Sequence, residues 1–200
     1  MPAVGLGCSY LLAIVLLGPL LGSSADASTA FSEHFAEDGN RLRDLLGSFA
    51  LLVAAGSLVW TVVAARSETS SRVDGPLRDL TAAAGVVTAS VLVVASGLLV
   101  TVPATTAIGE LTDDPGIDPA VQAGIAQAGT VMLLVAALCL ALTTLLVARL
   151  GRRSDAVPRW VVVTAWVTAA TLVLGVTVVL LVPFAAWAIA VGLVWAGEPR

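Results

Sequence analysis

Residues 45–65 read LLGSFALLVAAGSLVWTVVAA, twenty-one consecutive residues without a charge, bounded by Asp44 on one side and Arg66 on the other. At about 1.5 Å per helical residue the stretch is about 31 Å long, which matches the ~30 Å hydrocarbon core of a bilayer. A chain crossing lipid must satisfy its own backbone hydrogen bonds, so the stretch predicts a membrane-spanning α-helix. Everything outward of it repeats the same alternation of apolar run and charged interruption.

Upstream lie an apolar run over 3–21 and a polar loop over 22–44 that carries Asp26, Glu33, His34, Glu37, Asp38, Arg41, Arg43 and Asp44. Downstream, a polar loop over 66–79 leads to a span over 80–102, with Asp74-Gly75-Pro76 as the turn and Pro76 in the first turn of the next helix. An acidic loop over 103–119 follows, and Asp118-Pro119 reads as an N-cap and N1 pair opening a long helix whose span covers 127–148. After an Arg-rich loop over 149–159, the final apolar stretch, 160–197, has 38 residues, too many for one straight crossing. A turn near Gly175–Pro183 divides it into two short spans, 160–176 and 181–197. The alternative is one span followed by an interfacial helix bearing Trp187 and Trp195.

The composition agrees: 200 residues, 58% apolar, 12% charged, mean hydropathy +0.98. Soluble domains carry about 25% charged residues, so the expected fold is all-α, a single polytopic transmembrane bundle of six spans, with five spans plus an interfacial helix as the alternative. The net charge is −4, and the ten basic residues, all Arg, form no stripe that could neutralise a phosphate backbone, which sets nucleic acid aside. The absence of Lys is the bias of a GC-rich genome rather than of arginine chemistry.

Orientation follows from basic residues in short loops. The 66–79 loop has three Arg and the 149–159 loop four, whereas the 22–44 loop has two and the 103–119 loop none. The two Arg-rich loops, and with them the N-terminus, are therefore expected on the cytoplasmic face of the cell membrane. The acidic loops, which together hold nine acids and two Arg, are expected outside. A competing reading takes Ala25-Asp26-Ala27 as a signal-peptidase site, which would leave the mature N-terminus outside. Against cleavage stand the lack of a basic residue before the apolar run and the length of that run.

The spans contain no charge, which removes the usual machinery of proton-coupled transport. Their polar groups are hydroxyls, among them Ser57, Thr61, Thr88, Ser96, Thr143, Thr144, Thr164 and Thr168, expected to bond back to their own helices or to a neighbour. Small residues at Gly85 and Ala89, and at Ala95 and Gly97, favour close helix approach, and Gly18 and Gly22 have GxxxG spacing interrupted by Pro19. Cys8 and Cys139, both within apolar runs, are expected to behave as small hydrophobes.

His34, the only histidine, stands beside Glu33 and near Glu37 and Asp38, but no further imidazole or thiolate completes a transition-metal site, so it is expected to be solvated. Phe31 and Phe35 at i, i+4 suggest a short amphipathic helix ended by Gly39. Glu110, Asp113, Asp114 and Asp118 fit no EF-hand spacing and read as a solvated acidic loop with turn chemistry. No residue is assigned as catalytic, cofactor-binding or metal-binding: a Ser or Cys nucleophile would lack a positioned base in the membrane, and a haem would lack axial histidines there.

The order of these features resembles a group of uncharacterised multi-pass membrane proteins of actinobacteria. The likeness rests on Phe35-Ala36-Glu37-Asp38 running into Asn40-Arg41-Leu42, on Pro158-Arg159-Trp160, and on Pro183 with Trp187. It implies six helices and an uncleaved first span, and no activity. The expected function is therefore non-catalytic, exerted through lipid, a protein partner or a second copy of the chain, without a cofactor. The alternatives are an uncoupled facilitator of a small apolar molecule along a hydroxyl-lined path and, more remotely, a lipid enzyme using His34 and the loop acids.

Overall fold

The computed structural model describes residues 2–22, 34–35, 37–68, 75–112, 117–154, 158–174 and 182–197. All regular structure among them is helical: α1 (Pro2–Gly22), α2 (Asp38–Glu68), α3 (Gly75–Thr112), α4 (Pro119–Arg153), α5 (Arg159–Leu174) and α6 (Val182–Gly197). Three of these, α2, α3 and α4, are long and apolar enough to cross a membrane; α1 and α5 carry shorter apolar helices. Phe49, Trp60, Val63, Val87, Leu142 and Trp166 are all exposed along the middle of their helices. A surface of that kind suits lipid and would be a liability in water.

Each helix packs on the next, and α6 packs on α1 as well as on α5, so the six close into a ring. The centre is filled by small residues and leucines: Ala13, Ala54, Ala95, Ala136 and Ala165 have no exposed surface, as do Leu92 and Leu140. Small side chains let helix backbones approach, which is how membrane helices gain packing energy without a hydrophobic driving force. One glycine marks the tightest point of four successive interfaces. A Cβ would meet Ile189 from Gly7, Leu17 from Gly47, Val62 from Gly85 and Leu99 from Gly129, each within 2.8 Å. Gly85 and Ala89 are thus at an interface as expected; at the other pair only Ala95 is buried, and Gly97 faces open space.

The helices outrun the apolar stretches. α2 starts at Asp38, inside the 22–44 loop, so Gly39 lies in a first turn rather than ending a short helix. Asp38 itself is the acid that the positive end of the helix dipole favours, and Arg66 occupies the last turn. α3 continues through the buried Pro103 to Thr112, inside the 103–119 loop. Membrane helices tolerate a proline inside a helix; Thr101, Thr105 and Thr106 around it each donate a hydroxyl to a carbonyl of the preceding turn, those of Gly97, Thr101 and Val102, not to Leu99 O, the carbonyl that the missing Pro103 N–H would have met. α4 opens as the sequence predicts, with Asp118 Oδ1 accepting from the Ala120 N–H at 2.7 Å and Pro119 at N1. It runs five residues into the 149–159 loop because the stop is set by Ser154, whose N–H reaches Leu150 O and whose hydroxyl reaches Gly151 O. At the other end α1 runs through Gly18 and Pro19 to Gly22.

The described residues of the last apolar stretch form two sixteen-residue helices, α5 and α6. Trp187 is 7% exposed and its indole N–H donates to Val161 O at 3.2 Å, which fastens α6 to the start of α5 inside the bundle. The cleavage motif at 25–27, Phe31, Glu33, Asp113, Asp114, most of the turn near Gly175–Pro183 and the Trp195 side chain lie outside the described residues.

Candidate functional site

The densest set of polar side chains lies where α1, α2 and α3 end together on the acidic side. Phe35 is 2% exposed and belongs to the core, so it anchors the chain ahead of α2 against the bundle. The His34 ring meets the Phe35 ring edge-on at 5.1 Å. This brings His34 Nε2 to 2.8 Å from Asp44 Oδ2, and Asp44 has no exposed surface. Asn40 holds the segment in place: its amide donates to His34 O at 3.2 Å and to Glu37 Oε2 at 3.0 Å. His34 is therefore not a freely solvated side chain. It is three-quarters or more covered, with 18% of its side chain exposed, and it is the partner of a buried acid.

Neighbouring contacts bind the three helices to one another. Arg41, itself buried, pairs with Asp38 one turn earlier and with Glu110 Oε2 of α3 at 2.6 Å. Arg43 donates to Val15 O of α1 at 3.0 Å. One turn below Asp44, Ser48 O accepts from Ser96 Oγ of α3 at 2.8 Å. Glu110 thus has a structural partner and is not simply part of a solvated acidic loop, whereas Asp118 is spent on its own helix cap.

Burial raises the pKa of Asp44, a residue just outside the 45–65 span, and the hydrogen bond and charge of His34 and the charge of Arg43 oppose that rise. Its Oδ1 and the Ser48 hydroxyl are buried and have no hydrogen-bond partner among the described residues. Chemically the pair is a carboxylate that orients an imidazole. A hydrolytic triad needs a hydroxyl on the other imidazole nitrogen, and Ser48 sits one turn along α2 on the carboxylate side instead. Among the described residues no three His, Cys, Asp or Glu side chains gather as a metal-ligand set.

The span hydroxyls are mostly spent locally. Thr61 donates to Ser57 O at 2.7 Å, and the Thr88 and Thr143 hydroxyls lie 2.7 and 2.9 Å from the carbonyls four residues back and 2.9 Å from each other across α3 and α4, where two hydrogens serve two of the three contacts. Thr144 is the departure: its hydroxyl is buried and has no hydrogen-bond partner among the described residues. It borders a cavity of about 20 Å³ shared with Thr61, Thr143, Leu6, Leu58 and Trp187. That volume is room for about one water molecule. Comparison of the chain with family models, with curated proteins and with solved structures finds no match.

Neither the His34–Asp44 pair nor the Arg41–Glu110 pair is visible in sequence spacing. The first spans ten residues and the second sixty-nine. The available signal was Asp44 itself, an acid directly abutting an apolar run, which needs a partner if the helix end is covered.

Proposed function

We propose that this protein is a six-span, non-enzymatic integral protein of the cell membrane that acts by binding lipid or a protein partner. In this reading the N-terminus and both Arg-rich ends are cytoplasmic, and α5 and α6 form a short hairpin crossing. The observation that carries it is the segregation of charge. Arg66, Arg78, Arg149, Arg152, Arg153 and Arg159 lie at the ends of α2 and α4 and the starts of α3 and α5 with only Glu68 and Asp79 beside them, while Glu37, Asp38, Asp44, Glu110 and Asp118 lie at the opposite end with only Arg41 and Arg43, so among the described residues one end is net basic and the other net acidic. Between the two ends the outward faces are apolar. A basic end and an acidic end separated by one bilayer thickness of apolar surface match the positive-inside distribution.

The acidic-end pairs are structural in this reading. They stitch α1, α2 and α3 together where the helices leave the lipid, so the exposed groups available for binding are the arginines at the other end. Single cysteines in place of Asp114 and Arg152, probed in intact cells with a membrane-impermeant thiol reagent, test the topology: Asp114→Cys should label and Arg152→Cys should not, and the reverse pattern refutes it. Purification in mild detergent followed by mass spectrometry of co-purifying proteins and lipids tests the binding role. A second reading, an uncoupled facilitator of a small apolar molecule, is favoured by the threonine-lined cavity alone, and it requires that cavity to open well beyond the volume of one water.

A further inference from the structure

The seam between α4 and α5 is open on its outer side. A recess of about 470 Å³ lies between Leu138 and Val173, floored by Ala169 and flanked by Trp166. A second, of about 360 Å³, continues from Leu145 and Trp166 to Arg149 and Arg152. The two share Leu142, Leu145 and Trp166, so they form one trench, apolar along its length and cationic at its mouth. Arg149 and Arg152 are three residues apart on one helical face, both exposed, and neither forms an ion pair among the described residues. By contrast Arg66, on the same side of the bundle, is matched by Asp79 at 2.8 Å.

From Leu138 to Arg152 is fourteen residues, or about 21 Å along the helix. One leaflet, half of a bilayer of about 40–45 Å including headgroups, is about 20–22 Å deep. We infer that the α4–α5 trench is a binding site for one anionic phospholipid, with its phosphate on Arg149 and Arg152 and an acyl chain laid beside Trp166 over Ala169. The assignment rests on the membrane reading proposed above. Charge selects the lipid class: among the described residues the mouth offers two cations without an ion-pair partner and no acid, so a headgroup bringing its own cation gains less than one carrying only negative charge. The walls choose a lipid over a free anion, because a soluble phosphate would use the mouth and leave the apolar trench empty.

The test is native mass spectrometry of the full chain in mild detergent, titrated with phosphatidylglycerol or with phosphatidylcholine of the same chains. Each surface arginine near an anionic headgroup is worth on the order of five-fold in affinity, so the pair should favour phosphatidylglycerol by up to about thirty-fold. Arg149→Gln with Arg152→Gln should bring the two lipids level, and Arg149→Gln alone should remove about five-fold if the double variant does not fold. Arg153→Gln, outside the trench, should leave the preference within about two-fold. Ala170→Trp, on the exposed wall, should weaken both lipids while keeping every charge.

Equal affinity of the wild type for the two lipids, or a loss in Arg153→Gln matching that in the double variant, overturns the site. Displacement of the lipid by inorganic phosphate at constant ionic strength overturns the acyl-chain part of the assignment. A lipid-free dimer that Ala170→Trp dissociates shows instead that a second copy covers the trench. Inverted cysteine labelling with lipid preference intact refutes the orientation alone; lost preference in a correctly inserted protein refutes the site alone.

Discussion

Replacing Gly7 with Ala probes the contact that closes the helix ring. A Cβ there would sit 2.6 Å from the Ala185 carbonyl oxygen and 2.5 Å from Ile189 Cγ1. The isoleucine can rotate, but the carbonyl belongs to the α6 backbone. Ordinary contact begins at 3.4 Å, so α1 and α6 must part by 3.4 − 2.6 = 0.8 Å. Overpacking of this kind costs about 1–3 kcal/mol. Gly5, two residues earlier on the same helix, is the internal control, since its Cβ would find only Ser57 Oγ at 3.7 Å. Both substitutions share the gain of about 1 kcal/mol from replacing a helical glycine, so the difference between the two variants isolates the clash. At about 2–4 °C per kcal/mol for a chain of this size, a clash of about 2 kcal/mol places Gly7→Ala some 4–8 °C below Gly5→Ala. The assay is thermal unfolding in detergent followed by the fraction that still elutes as folded protein. Adding Ile189→Ala should leave most of the deficit, because the carbonyl remains. If Gly7→Ala matches Gly5→Ala, α6 does not pack on α1 at this distance and the ring is open.

Three further outcomes follow from the same geometry. His34→Ala leaves the Asp44 carboxylate buried without its hydrogen-bond partner, which should cost about 1–3 kcal/mol near neutral pH; the folded-state pKa of Asp44 lies above its ordinary value, so protonation favours the fold as pH drops through the raised value, and the variant's deficit measured by thermal unfolding should shrink toward about pH 4. A deficit that grows on acidification would refute this. Thr144→Val removes an unpartnered buried hydroxyl and should leave stability equal or about 1 kcal/mol higher, whereas a clear loss would place a hydrogen-bonded water in the adjoining cavity. Gly85→Leu cannot be accommodated, since even a Cβ meets Val62 Cγ2 at 2.5 Å; yield of folded protein should collapse, Gly85→Ala should be partly rescued by Val62→Ala, and wild-type melting of Gly85→Leu would count against the α2–α3 contact.

How much of this was legible from sequence depends on the range of the interaction. The Asp118–Pro119 start of α4 was readable because cap and first turn are adjacent in the chain. That the 160–197 stretch is too long for one straight crossing was readable from its length, and its described residues lie in two helices. The continuation of α3 through Pro103 was not, because proline is a helix breaker in water and membrane packing overrides that preference. His34 and Asp44 look like loop residues in the sequence because spacing in a polar segment carries no information about which side chains the bundle covers.

Apolar length and charge determined by themselves that the chain is helical, roughly where its long helices fall, and that one end is net basic and the other net acidic, since each is a sum over adjacent residues against a bilayer of known thickness. Rotation and partnership were left to the tertiary structure. A helix that is apolar all round has no hydrophilic face to reveal which side is buried, so only the folded chain could place Gly7 against Ala185, close α6 onto α1, bury Asp44 beneath His34 and set Arg149 and Arg152, without an ion pair among the described residues, at the mouth of the α4–α5 trench.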